Sequence, residues 1–256
     1  MKGPKRKFEQ FCKLHVPGNP LILYNIWNPG SAQAVASAGA KALATSSYAV
    51  AEAHGFTDGE HTPLFFVIDN LRRIVEATEL PVSVDLEGGY TDQAKPANIG
   101  ETIDLALDAG AVGCNLEDSV PATGKLREAR DQAARIRTAR KTANKAGLPF
   151  FINARTDVFL QGPSEQHNAA IVSEAVERAK AYADAGADCL FVPGLANIAL
   201  IEKLVKASPL PINIMVDDAL SIKALADSGV ARVSYGASPY INATNALDEA
   251  ARKANG

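Results

Sequence analysis

The chain has 256 residues, 47% hydrophobic and 21% charged, which suits one large α/β domain with a full core rather than two small ones. Its formal net charge of −3 gives no reason to expect a nucleic-acid partner, and the basic run from Lys2 to Lys7 is too short and too near the terminus to change that. No apolar run approaches the ~20 residues of a membrane span and the N-terminus has no apolar signal core, so a cytoplasmic protein with no membrane partner is expected.

After a lead-in over residues 1–19, short strand-like runs alternate with longer helical patterns, the arrangement of repeated βα units around a parallel sheet. The runs fall at 21–25, 42–47, 82–87, 113–118, 150–156, 189–193, 212–216 and 232–236. Odd runs follow a proline (Pro20, Pro81, Pro149, Pro211) and even runs follow a glycine turn (Gly39, Gly110, Gly186, Gly229), residues that stop a helix before a strand. Eight units with this two-unit rhythm predict a single (β/α)8 TIM barrel over residues 1–256. A doubly wound sheet is the rival, but Asn25-Ile26-Trp27-Asn28-Pro29-Gly30 after the first run lacks its glycine-rich phosphate loop. The helix expected over 126–145 has a basic, solvated face. The Ala-rich helix over 242–256 would cover the barrel bottom or pack on a partner chain. Cys12, Cys114 and Cys189 lack metal-ligand spacing and are read as small buried hydrophobes in a reducing compartment.

In such a barrel the chemistry collects at the carboxyl ends of the strands. Alternation along a strand puts Asp85 and Glu87 on one face, and the ends of the fourth and fifth runs bring Glu117 and Arg155 to the same mouth. Crowded carboxylates need a cation or a shared proton, and oxygen ligands on a rigid strand end suit Mg²⁺ with its waters, Mn²⁺ being the substitute ion. The fork of Arg155 matches a carboxylate bidentately. A salt-bridged ring that merely closes the barrel top is the structural alternative. The hydroxyls and amides of Thr45-Ser46-Ser47-Tyr48 can hold a carboxylate, and Asp58 could order metal-bound water or only make an Asp-Gly turn. His15, His54, His61 and His167 lie outside the strand ends and are expected in surface or loop roles, with His54 nearest the mouth in sequence.

The motifs Thr45-Ser46-Ser47, Asp58, Val84-Asp85-Leu86-Glu87-Gly88-Gly89-Tyr90, Asn115-Leu116-Glu117-Asp118 and Ile152-Asn153-Ala154-Arg155-Thr156-Asp157 resemble the isocitrate lyase and phosphoenolpyruvate mutase superfamily, in order from Asn25-Ile26-Trp27 to Ser234-Tyr235-Gly236. The resemblance implies that Asp85 lies closest to Mg²⁺, that Glu87 stands where the family usually has Asp, and that Glu117 completes a water-mediated metal shell. It implies further that Arg155 grips the substrate carboxylate or oxyanion. Ser46 and Ser47 would bind a 2-oxo acid carboxylate, with Tyr48, Asn25 and Trp27 on the substrate side and Asp58 as a nearby catalytic acid. The resemblance also implies a homodimer or homotetramer formed by exchanging a C-terminal helix. The Cys-Gly-His loop of isocitrate and methylisocitrate lyases is replaced here by Asp118-Ser119-Val120-Pro121-Ala122-Thr123-Gly124-Lys125-Leu126, so those activities are not expected. The sixth and seventh runs end Phe191-Val192-Pro193-Gly194 and Met215-Val216-Asp217-Asp218, without the polar residues that serve tricarboxylate lyases. The expectation is Mg²⁺-dependent cleavage at C3 of a small 2-oxo acid through an enolate, as in an oxaloacetate-type decarboxylase. Phosphorus–carbon chemistry, a non-catalytic 2-oxo acid barrel, and a phosphate-binding barrel with a nest at Gly236-Ala237-Ser238 stand as alternatives.

Overall fold

All eight runs become strands in the computed structural model, which describes residues 3–91, 98–216 and 220–256. They are β1 (Leu21–Leu23), β2 (Leu43–Ala44), β3 (Val82–Asp85), β4 (Gly113–Glu117), β5 (Phe151–Arg155), β6 (Cys189–Val192), β7 (Ile212–Met215) and β8 (Arg232–Ser234). Hydrogen-bonded neighbours are parallel throughout, in the order β1-β8-β7-β6-β5-β4-β3-β2. The remaining gap, between β1 and β2, is spanned by the parallel bridge of Ile26 with Thr45, which brings the sheet close to a closed barrel. Each strand is shorter than its run because the last residues leave the ladder to build the mouth.

The outer helices are α2 (Pro29–Ser37), α3 (Ser47–Ala53), α4 (Leu64–Glu76), α5 (Ile99–Asp108), α6 (Ala129–Lys145), α7 (Ala169–Asp184), α8 (Ile198–Ala207), α9 (Ile222–Asp227) and α10 (Ser238–Asn255), preceded by α1 (Pro4–Lys13). Their starts are written in short polar side chains: Asn98 accepts from the Glu101 N–H, and Asn168 from those of Ala170 and Ile171. In α5 the buried residues include Ile99, Ile103, Ala106 and Leu107, the i, i+4, i+7, i+8 stripe of a helix lying on a sheet. Truncating Ile103, which has no exposed surface, would cost about 2–5 kcal/mol. Gly186 turns out of α7 at φ +99°, where a Cβ would also sit 2.8 Å from Arg140 Cγ.

The barrel bottom is closed by α1, which removes one of the two alternatives for the C-terminal helix and leaves packing on a partner chain. Phe11 of α1 packs with Leu21, Leu23, Ala42, Ala44, Val112, Phe151 and Cys189 inside the barrel. By contrast, α10 leaves the mouth with Pro239 as its buried residue and Leu247 69% exposed. His15 is likewise not a surface residue: it stacks 4.2 Å from Phe151 and meets Phe11 edge-on. Burial, reinforced by the Arg232 charge, pushes its pKa down to about 3. Cys114 and Cys189 are fully buried. Above them the barrel interior is polar: Arg232 has no exposed surface and donates through Nη2 to Asn115 Oδ1 at 3.2 Å, an oxygen that also accepts from Asn153 Nδ2 at 2.8 Å. Among the described residues no helix is long and apolar enough to cross a membrane.

Candidate active site

At the carboxyl ends of the strands lies a cavity of about 300 Å³. A larger hollow of about 650 Å³ opens at the other end beside Arg6, Lys7 and Glu79, but it gathers no strand-end residues. The lining of the mouth cavity falls into unlike sets. Ser46, Ser47, Asp58, Asp85, Asn115 and Arg155 form a polar set at the ends of β2 to β5, Leu160, Phe191, Pro193, Met215 and Val216 an apolar set after β5, β6 and β7, and Ser234, Tyr235 and Ser238 continue the lining at β8.

The polar set is built where β2 and β3 end together. Ser46 caps α3 by accepting from the Ala49 N–H, and the next N–H, of Ser47, points at Asp85 Oδ2 at 3.3 Å. The Asp85 N–H is itself held by Thr45 Oγ1 at 2.8 Å. Beyond Asp85 the chain leaves the strand, with Leu86 in the core and Glu87 in the left-handed region at φ +50°. Glu87 is thereby committed to a loop. Its Oε2 accepts from the Gly59 and Glu60 N–H groups at 2.8 and 2.6 Å, and its Oε1 from the Tyr90 hydroxyl at 2.8 Å. Glu60 returns the contact by accepting from the Tyr90 N–H at 2.6 Å. The metal-ligand role expected for Glu87 therefore gives way to a clasp that fixes the loop carrying Asp58.

Asp58 and Asp85 crowd one side of the cavity. Burial and then the Asp85 charge raise the Asp58 pKa, and burial followed by the charge of Asp58 raises that of Glu87 to about 8. Asp58 Oδ1 is buried with no hydrogen-bond partner, so one more cation or proton is wanted at this place. Among the described residues no three His, Cys, Asp or Glu side chains could enclose an ion by themselves. An ion held by one or two carboxylates and water, the habit of Mg²⁺, fits this donor set.

Glu117 and Arg155 meet as expected, but Arg155 is already engaged. Its Nη1 pairs with Glu117 Oε2 at 2.9 Å, while Nε and Nη2 grip Asp157 Oδ1 and Oδ2 at 2.6 and 3.0 Å. The fork foreseen for a substrate carboxylate is thus closed on Asp157, two residues along the same chain. Three of the five guanidinium N–H groups are used, leaving two for a ligand. Burial pulls the Arg155 pKa down, but the charges of Glu117 and Asp157 outweigh it and leave it raised. Glu117, which also accepts from Ser119 Oγ at 2.5 Å, is pushed up to about 7 by burial against the pull of Arg155. Asp118 faces the helix layer, bound by Arg178 and Tyr182.

Other expected residues hold the mouth together instead of facing it. Asn25 touches the cavity, but its Oδ1 accepts from Tyr235 and Gly236 N–H, both at 2.9 Å, and its Nδ2 donates to the Thr45 carbonyl at 3.0 Å. That staple ties β1, β2 and β8, and it occupies the Gly236 N–H on which a phosphate nest would depend. Trp27 is outside the cavity, edge-on to Tyr240 at 5.3 Å. Tyr48 stands at the rim, 36% exposed. His54 bonds the Val50 carbonyl and packs on Phe66, and Lys125 is exposed on its loop. The expected ending of the seventh run at Asp217 and Asp218 lies outside the described residues. The apolar wall was legible only in part: Phe191, in register with Arg155 and 5.9 Å below its guanidinium, follows from strand alternation. Leu160 sits on a 3-10 turn, Val158–Leu160, that nothing in the sequence pattern announces.

A family model described as phosphoenolpyruvate phosphomutase matches residues 11–255. The fold superposes with a TM-score of 0.95 on a crystal structure from Burkholderia cenocepacia J2315, described provisionally as a phosphonomutase, at 48% identity over 99% of this chain and 100% of that one. An uncharacterised protein of Mycobacterium tuberculosis is 35% identical over 94% of this chain and 87% of its own. A 2-methylisocitrate lyase of Escherichia coli is 30% identical over 78% of this chain and 69% of its own.

Proposed function

The chain belongs to the phosphoenolpyruvate phosphomutase family, and on that premise we propose that it is a Mg²⁺-dependent enzyme that breaks a carbon–carbon bond at C3 of a small 2-oxo acid through an enolate. The observation that carries the reading is the unpartnered Asp58 Oδ1 beside Asp85, in the wall of a cavity that Arg155 also lines. Asp85 and Asp58 would hold the ion, with Glu117 reached through water, and the ion when bound neutralises charge on the 2-oxo oxygen. The two unused N–H groups of Arg155 add preorganised positive charge where the enolate forms, and Asp157 and Glu117 keep that guanidinium from swinging. Ser46 and Ser47 contribute small hydroxyls against the carboxylate.

Decarboxylation of an oxaloacetate-type substrate suits this site best. The C3–C4 electron pair stays on C3 and carbon dioxide leaves neutral, so no protein base is needed for the bond to break. Isocitrate-type cleavage must deprotonate a hydroxyl. Although a 2-methylisocitrate lyase is among the relatives, residues 118–126 of this chain offer neither cysteine nor histidine for that step. Phosphorus–carbon chemistry is the second reading, favoured by the similarity to the provisional phosphonomutase. Against it, Arg155 is the sole cation lining the cavity among the described residues, a poor complement for a phosphonate dianion. The exposed helix α10 is proposed as the segment through which copies associate into a dimer or tetramer.

The test is a turnover panel of oxaloacetate, its 3-alkyl derivatives, phosphonopyruvate and 2-methylisocitrate, with products followed by NMR. The reading expects a 2-oxo acid and carbon dioxide, with no phosphoenolpyruvate, no phosphate and no succinate. Binding of the panel without turnover would instead leave a sensor barrel.

A further inference from the structure

The cavity lining is charged in one part and apolar in another, and that asymmetry bears on what C3 carries. Asp58 and Asp85 stand on the polar side, where they repel a second anion. Leu160, Phe191, Pro193, Met215 and Val216 form an apolar wall without a side-chain hydrogen-bond donor, and the Ser234, Tyr235 and Ser238 that continue the lining past Met215 are neutral. The cation at the site, Arg155, is held by Glu117 and Asp157. With the two remaining Arg155 N–H groups assigned to the enolate, a charged group kept by the product would be desolvated against this wall with no cation of its own, an expensive burial. The carboxylate lost in decarboxylation escapes that cost because it leaves as a neutral molecule.

Resting on the C3-cleavage reading above, we infer that the substrate carries an uncharged alkyl chain on C3, which packs on the wall formed by Leu160, Phe191 and Met215. The substrate class is the 3-alkyl 2-oxo acids, and the product is a 2-oxo acid longer than pyruvate. Plain oxaloacetate leaves the wall bare, whereas a retained carboxylate or phosphonate strands its charge there.

The probes are products and their mimic, measured by calorimetry in Mg²⁺ with the full chain: pyruvate, 2-oxobutyrate, 2-oxopentanoate, 2-oxoglutarate and oxalate, the last matching the planar dianion of the enolate. Affinity should rise about fourfold per methylene from pyruvate to 2-oxopentanoate. The same chain ending in a carboxylate, 2-oxoglutarate, should bind at least tenfold more weakly than 2-oxopentanoate. Leu160→Arg, on a turn where Leu160 is 47% exposed and folding is not at risk, should shift that preference toward 2-oxoglutarate by about tenfold, as Met215→Lys should. If 2-oxoglutarate binds the unaltered protein as tightly as 2-oxopentanoate while oxalate still binds, the inference falls and the C3-cleavage reading stands. If oxalate and the whole series fail to bind, both fall together.

Discussion

His15 should make the protein lose stability in mild acid. The imidazole is buried between Phe11 and Phe151, its Nδ1 bonded to the Phe11 carbonyl at 2.8 Å and its Nε2 without a partner, and Arg232 is the charge that faces it. Its pKa is about 3 in the fold, against an ordinary value of 6.5. A histidine depressed by folding is neutral in the native state. Its contribution is complete above pH 6.5 and is lost as pH falls toward 3, because the unfolded chain takes up the proton first. The loss is about 2 kcal/mol at pH 5 and approaches about 5 kcal/mol near pH 3. Carboxylates titrate over the same range, so the assay is urea unfolding of wild type and His15→Phe side by side from pH 7 to pH 4. The phenyl ring preserves the stack and removes the titration. Wild type should lose about 2 kcal/mol more than the variant between pH 7 and pH 5. Parallel curves would refute the burial argument for this end of the barrel.

Arg155→Lys should lower kcat/KM by about a hundredfold and also lower Tm, since a point charge cannot grip the buried Asp157 and Glu117 and still face the cavity; steady-state kinetics on the substrate found in the panel, at a temperature where the variant is folded, decides it. Glu87→Ala orphans the Gly59 and Glu60 N–H groups and the Tyr90 hydroxyl and should cost about 3 kcal/mol in chemical denaturation, whereas Glu87→Gln, which keeps acceptor and donor in place, should cost clearly less. Equal losses would remove the clasp role. Gly113→Ala would drive its Cβ into the Phe151 carbonyl across the β4–β5 ladder and should cost about 3 kcal/mol or more by thermal unfolding.

The barrel was legible because its punctuation is local. Pro20, Pro81, Pro149 and Pro211 before one set of strands and the glycine turns before the other are residue-level signals, and every strand lies within its expected run. Alternation also put Asp85 and Arg155 at the mouth, where they line the cavity, and Glu117 beside Arg155, which it pairs from outside the lining. It failed at Glu87, because period two holds only while the strand lasts and β3 stops at Asp85. It was silent on partners: that Arg155 closes on Asp157 and that Asn25 staples Tyr235 and Gly236 are tertiary choices between equally polar neighbours. The bottom plug was missed because Phe11 and His15 belong to a basic, nondescript lead-in whose apolar members find each other only beneath the barrel.

The measurement nearest the central claim is 2-oxo acid release from oxaloacetate or its 3-alkyl derivatives by wild type and Asp85→Ala, each with Mg²⁺ and with EDTA, corrected for the metal-catalysed reaction in buffer. The account predicts turnover by wild type with Mg²⁺, none after EDTA, recovery when Mg²⁺ is restored, and none above buffer for a folded Asp85→Ala. Turnover that survives EDTA, or that Asp85→Ala retains near the wild-type rate, would contradict it.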